Sequence, residues 1–130
     1  MKSESETKMV IILRKDLNMR KGKMISQACH ACLKVFFDKS FFLWFFMIIK
    51  LTPVMLRWIK DKFTKIVVSV NSEQELLDLY NKAQEANIPS SLIQDCGFTE
   101  FNEVPTYTAV AIGPDYNDKI DEITRNLPLL

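Results

Sequence analysis

The chain has 130 residues, of which 48% are apolar and 25% are charged. This length suits one domain, and the composition excludes an intrinsically disordered chain. Three cysteines, an odd number, argue against a disulfide scaffold and favour the reducing environment of the cytoplasm. The first eight residues, MKSESETK, have no apolar core, so the sequence predicts no signal peptide there.

The small net charge of +1 conceals two oppositely charged halves. Residues 8–65 carry thirteen basic and three acidic side chains, whereas residues 66–130 carry three basic and eleven acidic ones. The basic half can attract a polyanion, because phosphate contacts supply most of the sequence-independent affinity for nucleic acids. The alternative is that the two halves neutralise each other across the fold.

The first predicted elements are a strand, a basic loop and an amphipathic helix. Residues 8–13 (KMVIIL) form a continuous apolar run typical of a buried strand. A polar, basic loop follows over 14–22, and residues 23–38 predict a helix. Its expected apolar face consists of Ile25, Ala28, Cys29, Cys32, Leu33 and Phe36. A second stripe, along one edge of the helix, consists of Lys23, Gln27, His30 and Lys34.

Residues 41–51 (FFLWFFMIIKL) form an unusually apolar segment. The nine apolar residues before Lys50 are too few to span a bilayer, which needs about 20. A longer window admits Lys50, Pro53 and Arg57, and a span here would also divide the only domain that the chain can build. We therefore expect no membrane span. The segment predicts a buried or oligomer-contact helix, with an interfacial amphipathic helix as the alternative.

The second half of the chain predicts three strands and two helices. The elements are a strand at 65–70, a helix from about residue 73 to Asn87, strands at 90–94 and 106–112, and a helix at 115–126. Ser72 and Glu75 form a capping box that begins the first of these helices. The order of elements predicts an α/β fold. It is a single domain over 1–130, with a small, about four-stranded mixed sheet covered by helices on both faces.

Cys29 and Cys32 form a C-x-x-C motif. In a redox enzyme such a pair lies at a helix N-terminus, where the helix dipole lowers the pKa of the thiol. Here the pair lies about two turns inside the predicted helix, so the dipole has little effect on it. A metal site would need further ligands, for which Cys96 is the only other cysteine. The pattern therefore predicts two buried core cysteines.

The loop after the third strand places a carboxylate beside hydroxyl groups. Asp95 ends the strand, Thr99 follows in the loop, and Thr106 and Thr108 share one face of the next strand. Such a group can position a water molecule for hydrolysis. The alternative is a turn in which these side chains bond to the local backbone. The sequence has no G-x-S-x-G or H-E-x-x-H motif, which argues against a serine or zinc hydrolase.

Three ordered motifs resemble those of the peptidyl-tRNA hydrolase type 2 family. The first is RKDLNMRKGK at 14–23, followed by Gln27 and His30-Ala31. The second is LIQDCG at 92–97 with Thr99, and the third is PTYT at 105–108 with AIGP at 111–114. The resemblance covers nearly the whole chain apart from a variable Phe-rich segment at about 38–62.

The resemblance implies an enzyme that cleaves the ester between a peptide and the terminal ribose of tRNA, releasing the tRNA for reuse. It implies peptidyl-tRNA as partner, commonly a homodimer, and neither a cofactor nor a metal. The implied catalytic residues are Lys23, His30, Asp95, Thr99 and Thr108. The implied substrate-binding residues are Arg20, Lys21, Gln27 and Thr106. The competing hypothesis is a catalytically silent RNA- or protein-binding module on the same fold.

The chemistry of ester hydrolysis gives two of these residues complementary roles. The reaction needs an activated water molecule and stabilisation of a developing oxyanion. Asp95 would orient or deprotonate the water, and Lys23 would offset the negative charge and hold Asp95 ionised. His30 would position a partner or contact the substrate. This mechanism requires Lys23 and Asp95 to share one water-accessible site.

Overall fold

A computed structural model of the chain describes residues 6–97, 101–102 and 104–130. These residues form six strands and four helices, which are numbered here in chain order. They are β1 (Thr7–Arg14), α1 (Lys21–Phe37), β2 (Ser40–Leu43), β3 (Phe46–Ile49), α2 (Pro53–Lys60), β4 (Lys65–Val70), α3 (Glu73–Glu85), β5 (Ser90–Asp95), β6 (Thr106–Tyr116) and α4 (Asn117–Thr124). The predicted α/β class is confirmed.

Four strands form one mixed sheet in the order β4-β1-β6-β5. β1 pairs with β4 in parallel, and β6 runs antiparallel to both of its neighbours, β1 and β5. The helical crossovers therefore connect strands of the same direction, whereas the short connection from β5 to β6 reverses the chain, as the sequence predicts. The sheet brings the end of β5 beside the start of β6.

Helices cover both faces of this sheet, which confirms the predicted layers. Side chains of β1 alternate between two apolar clusters because successive residues of a strand point to opposite faces. Val10 and Ile12 pack with α3 and α4, whereas Met9 and Ile11 pack with α1 and α2. The site described below lies where α1 crosses β5 and β6.

Two boundaries differ from the sequence prediction at the end of the chain. β6 continues past Ile112 to Tyr116, because Lys8 and Thr7 of β1 pair with its extra residues. α4 is consequently shorter than the helix predicted for 115–126. The predicted capping box is confirmed: the backbone N–H of Glu75 donates to the hydroxyl oxygen of Ser72 at 3.1 Å.

The helix predicted for the apolar segment is wrong, because residues 40–49 form an antiparallel hairpin of β2 and β3. The run has no helical period, and its aromatic and β-branched side chains favour extended backbone. A helix, α2, begins only at Pro53, where the side chain of Thr52 accepts from the N–H of Met55. The segment is exposed, which also corrects the prediction that it is buried in the chain's own core.

α1 turns a different face to the sheet from the one predicted. Its buried residues are Gln27, Ala31 and Val35. Ile25 and Leu33, predicted to be apolar-face residues, are 65% and 51% exposed. The helix is rotated because polar Gln27 faces the sheet and bonds to groups there.

The prediction of two buried core cysteines is also incorrect. Cys29 is exposed and Cys32 is half-buried, where burial raises the pKa of the Cys32 thiol.

Each helix in the described ranges is either too short or too polar to cross a bilayer.

Candidate active site

Lys23 and Asp95 meet at the edge of the sheet, although 72 residues separate them in sequence. Lys23 lies in the first turn of α1, and Asp95 is the last residue of β5. Nζ of Lys23 donates to Oδ1 of Asp95 at 2.8 Å. The two side chains are 10% and 14% exposed, so solvent reaches the pair although most of each side chain is shielded from water. The ammonium and the carboxylate therefore share one partly accessible site.

Two more donors hold the Asp95 carboxylate. Nε2 of Gln27 donates to Oδ1 at 3.4 Å, and the backbone N–H of Gly97 donates to Oδ2 at 2.8 Å. Gly97 has a φ of 88°, in the left-handed region that glycine adopts readily, so the backbone can turn its N–H back to the carboxylate. A carboxylate offers about four lone-pair sites. These three donors, two on Oδ1 and one on Oδ2, fix the orientation of the carboxylate.

The surroundings of Asp95 act on its pKa in opposite directions. Burial, the largest single effect, raises the pKa. The hydrogen bonds from Lys23, Gly97 and Gln27, together with the Lys23 charge, lower it. The lowering effects prevail together, and the pKa of Asp95 lies below its ordinary value of 3.8. Asp95 is therefore ionised at neutral pH and is a weak proton acceptor.

Gln27 connects the carboxylate to the sheet interior. Its Oε1 accepts a short hydrogen bond from the hydroxyl of Thr108, and its Nε2 faces Asp95. Gln27 and Thr108 are both fully buried. Because an ionised carboxylate only accepts hydrogen bonds, Asp95 fixes the direction of the amide, with Nε2 toward the carboxylate and Oε1 toward the Thr108 hydroxyl.

Among the described residues, His30, predicted to be catalytic, and Thr106, predicted to bind substrate, are not part of this network. His30 is exposed on α1 and lines a shallow cavity with Gln94, and it makes no hydrogen bond to the network within the described ranges. The hydroxyl of Thr106 donates to the backbone oxygen of Val104 at 2.8 Å, although Thr106 pairs with Asp95 across the strands. Thr99 lies outside the described residues.

Arg20 and Lys21 lie at the N-terminus of α1 and immediately precede Gly22 and Lys23 in the chain. Arg20 occupies the N-cap position, and both side chains are exposed. The N-terminus of a helix favours anions, because its free backbone N–H groups and dipole point outward. Two exposed basic side chains therefore adjoin the Lys23–Asp95 pair at a helix end suited to phosphate.

Comparison with known proteins places these features in a family. The family model described as peptidyl-tRNA hydrolase PTH2 matches residues 7–130. The chain belongs to the peptidyl-tRNA hydrolase PTH2 family. The predicted resemblance and the predicted enzyme class are thereby confirmed.

Curated members of the PTH2 family are similar over almost their whole length. A peptidyl-tRNA hydrolase of Methanocaldococcus jannaschii is 45% identical over 123 residues, which cover 95% of this chain and 99% of that protein. One from Methanothermobacter thermautotrophicus is 41% identical over the same coverage of both chains. A third, from Methanococcus vannielii, is 40% identical over 92% of this chain and 96% of its own.

Two groups in this PTH2-family site were not predicted from the sequence. The ring centroid of Phe101 lies 5.6 Å from Nζ of Lys23, a cation–π distance. The second unpredicted group is the backbone N–H of Gly97, which donates to the Asp95 carboxylate. The Asp-x-Gly sequence is a recognisable turn signal for the Gly97 contact, whereas nothing in the loop sequence marks Phe101 out.

The C-x-x-C of α1 takes no part in the site. Cys29, Cys32 and Cys96 are all free thiols. Across the described part of the chain, no three His, Cys, Asp or Glu side chains come together as a metal-binding group.

Proposed function

We propose that this chain hydrolyses the ester between the peptide and the terminal ribose of peptidyl-tRNA at the Lys23–Asp95 pair. The observation that carries this proposal is the 2.8 Å contact between an ammonium and a carboxylate that remain partly open to solvent. The pair adjoins the basic start of α1, where a polyanionic substrate is attracted. Its relatives are named for the same activity.

The chemistry needs a water molecule to attack the ester carbonyl carbon. The bond to the ribose oxygen then breaks, the ribose takes up a proton, and the peptide leaves with a free carboxyl group. Negative charge collects on the carbonyl oxygen before that bond breaks, and the Lys23 ammonium stabilises it. A fixed charge in a largely dehydrated site is effective, because the surrounding dielectric is low.

Asp95 acts mainly by positioning. Its lowered pKa makes it a weak base, so it orients rather than deprotonates the water. Oδ2 accepts a hydrogen bond from that water, while Oδ1 holds the Lys23 ammonium toward the carbonyl oxygen. Gln27 and Thr108 keep the carboxylate in this orientation.

The remaining predicted residues contact the substrate in this proposal. His30 lies exposed along α1 from the pair, within reach of a bound nucleotide or peptide. The Thr106 hydroxyl, which donates to Val104, accepts a hydrogen bond from the substrate, and Thr99 donates one to it. Arg20 and Lys21 bind tRNA phosphates, since exposed basic groups at a helix N-terminus are suited to them.

An assay of N-blocked aminoacyl-tRNA cleavage by the purified protein tests the proposal. We expect the wild-type chain to release free tRNA, and Asp95→Asn, which keeps the shape but removes the charge, to reduce the rate at least about 100-fold. Asp61→Asn, at an exposed carboxylate at the end of α2, is the matched control and should be unchanged. A wild-type chain that binds tRNA without cleaving the ester would instead support the silent binding module.

We also propose that the protein is a cytoplasmic homodimer. An apolar stripe on the outer side of α1, formed by Ile25, Leu33 and Phe37, is exposed in the single chain, and a second copy would cover it. Three free thiols suit a reducing compartment. Light scattering tests the dimer: Leu33→Glu should halve the molar mass, and a wild-type monomer would exclude it.

A further inference from the structure

The hairpin of β2 and β3, hereafter the aromatic hairpin (residues 40–49), exposes an exceptional amount of apolar surface. Trp44 and Phe45 form its tip and are 89% and 97% exposed. The other exposed apolar side chains of the hairpin are Phe41, Phe42, Leu43, Phe46, Met47 and Ile48. Each strand packs mainly against the other strand rather than against the rest of the domain. Contiguous apolar surface of this kind marks an interaction site.

Both faces of the aromatic hairpin are apolar. Successive side chains of a strand point to opposite faces, and Phe41 and Phe42 are neighbours in β2, as Met47 and Ile48 are in β3. A folded partner usually covers one face of a two-stranded ribbon and leaves the other face in water. An apolar tip with two apolar faces is instead suited to a medium that surrounds it. The acyl-chain boundary of a bilayer is such a medium.

The turn at the tip holds an aromatic residue in a costly conformation. Trp44 has a φ of 55°, in the left-handed region that ordinarily takes glycine or asparagine in hairpin turns. A bulky side chain there is strained, and because Trp44 is 89% exposed, packing within the described residues offsets little of that strain. Tryptophan, like tyrosine, is enriched at membrane–water interfaces.

Lysines surround the base of the aromatic hairpin. Lys39 and Lys50 flank its two ends and are joined by a backbone hydrogen bond from the Lys50 N–H to the Lys39 oxygen at 3.1 Å. Nζ of Lys50 lies 5.9 Å from the Phe41 ring centroid. The nearest acid in sequence, Asp38, is already paired with Lys34 at 2.9 Å. Two positively charged lysines, Lys39 and Lys50, below an apolar tip complement a bilayer surface with anionic headgroups.

We propose that the aromatic hairpin attaches this protein to the surface of an anionic lipid bilayer, with Trp44 and Phe45 inserted at the boundary of headgroups and acyl chains and Lys39 and Lys50 against the headgroups. Four residues per strand give a height of about 14 Å. This exceeds the roughly 5–10 Å depth of interfacial insertion but is far short of the roughly 30 Å hydrocarbon core. The attachment is therefore peripheral.

The attachment leaves the candidate active site accessible. The aromatic hairpin follows the C-terminal end of α1, whereas Lys23 lies in its first turn. Phe37 lies fourteen positions after Lys23 on α1, a distance of about 21 Å along the axis. A tRNA can therefore approach the start of α1 while the other end of the helix lies toward the lipid.

A symmetric pairing of two aromatic hairpins is less compatible with the charges. In a two-fold interface the same patch meets itself, so the lysines of both copies would converge. Like charges brought together oppose association. Anionic headgroups neutralise the same lysines, and for this reason we assign the surface to lipid.

Sedimentation with vesicles tests the proposal. The probes are vesicles of equal parts phosphatidylglycerol and phosphatidylcholine, compared with phosphatidylcholine alone. We expect the wild-type chain to bind the anionic vesicles more tightly. Trp44→Ser combined with Phe45→Ser should weaken that binding at least about 100-fold, because two aromatic side chains no longer leave water. Lys39→Gln combined with Lys50→Gln should weaken it about 25-fold, from roughly fivefold for each lysine.

Tryptophan fluorescence reports the insertion directly. The chain has two tryptophans, and Trp58 is already buried beneath Phe36 and Phe63. A blue shift on adding anionic vesicles must therefore come from Trp44. Trp44→Phe should abolish the shift while keeping most of the vesicle binding.

Three results would overturn the proposal. One is a wild-type chain that does not bind anionic vesicles. Another is equal vesicle binding by the Trp44→Ser, Phe45→Ser variant. The third is a lipid-free oligomer whose molar mass falls in that variant, which would assign the aromatic hairpin to a second copy. Unchanged ester cleavage and an unchanged circular dichroism spectrum establish that each variant is folded.

Discussion

Lys23 lies in the first turn of helix α1, whereas Trp44 lies in the hairpin that follows its last turn. Both regions depart from the usual rule that polar side chains face water and apolar side chains are buried. Near the start of the helix, charged and polar groups are withdrawn from water. Beyond its end, large apolar groups stand in water. Both departures from the usual pattern cost free energy unless something compensates for them.

The difference lies in where the compensation comes from. Within the active site the fold supplies it: each of the buried polar groups of Asp95, Gln27 and Thr108 has a partner from another part of the chain. At the aromatic hairpin the described chain leaves much of the apolar surface in water, and in our proposal the compensation comes from outside the molecule. Substitutions alone can therefore test the first region, whereas the second responds only when a bilayer is added.

The largest expected effect is that of Lys23→Ala on ester cleavage. We expect the rate to fall at least about 100-fold, because the oxyanion loses its fixed positive charge. Lys82→Ala removes an exposed lysine of α3 and is the control. The Trp44→Ser, Phe45→Ser variant should cleave at the wild-type rate without lipid. If the tip variant lost as much activity as Lys23→Ala, the two regions would not be independent.

Thr108→Val should have the next largest effect, about a tenfold lower cleavage rate. The substitution leaves Oε1 of Gln27 buried without a donor, which costs about 1–3 kcal/mol of stability. Gln27→Leu in the same chain removes the unpaired group. The double variant should therefore regain part of the lost melting temperature but none of the activity. Recovery of both would show that Gln27 and Thr108 serve stability alone.

The sheet and its helical layers could be predicted because they depend on local patterns. The β-branched runs, the capping box at Ser72 and the turn residues each agree with the final fold. The aromatic hairpin could not be predicted in the same way. Its apolar run has neither a period of 2 nor one of 3.6, and its turn is Trp44-Phe45 rather than an Asn-Gly or Gly-containing pair.

In the candidate site, too, the residues could be predicted from local motifs, whereas the contacts between residues distant in sequence could not. The motifs predicted that Lys23 and Asp95 act together, but the distance between them depends on how α1 lies across β5. The burial of Gln27 was missed because a polar residue is normally assigned to the outer face of a helix. The positions of Thr108 on β6 and of Asp95 at the end of β5 explain why that amide faces inward.

Salt should weaken the binding of peptidyl-tRNA by about threefold to fourfold per phosphate contact between about 50 and about 200 mM. We expect the KM of the wild-type chain to rise accordingly, because basic residues of the first half bind phosphates. Arg20→Ala and Lys21→Ala should each reduce the slope of log KM against log salt by about 1. A KM independent of salt would contradict a phosphate-binding face.

The pKa of Asp95 should rise in Lys23→Ala. The hydrogen bond and charge of Lys23 lower that pKa, whereas burial raises it and remains after the substitution. A carboxyl whose pKa is lowered by folding contributes stability above its unfolded pKa, and this contribution is lost as the pH falls through the folded value. Wild-type and variant stabilities should therefore converge in acid. Carbon NMR of the Asp95 carboxyl measures its pKa. An unchanged pKa in Lys23→Ala would show that Lys23 does not lower the pKa of Asp95.

The smallest expected effect is that of the tip substitutions on stability. Trp44 and Phe45 are almost fully exposed, so replacing both with serine removes little packing from the folded state, and we expect the free energy of unfolding to change by less than about 0.5 kcal/mol. Phe36→Ser, in a partly buried ring that stacks on Trp58, is the matched control and should destabilise the protein strongly. A marked loss of stability at the tip would mean that the aromatic hairpin is covered in solution without lipid. If the tip variant keeps its stability but binds vesicles more weakly, Trp44 and Phe45 contribute to binding an external partner and not to holding the fold together.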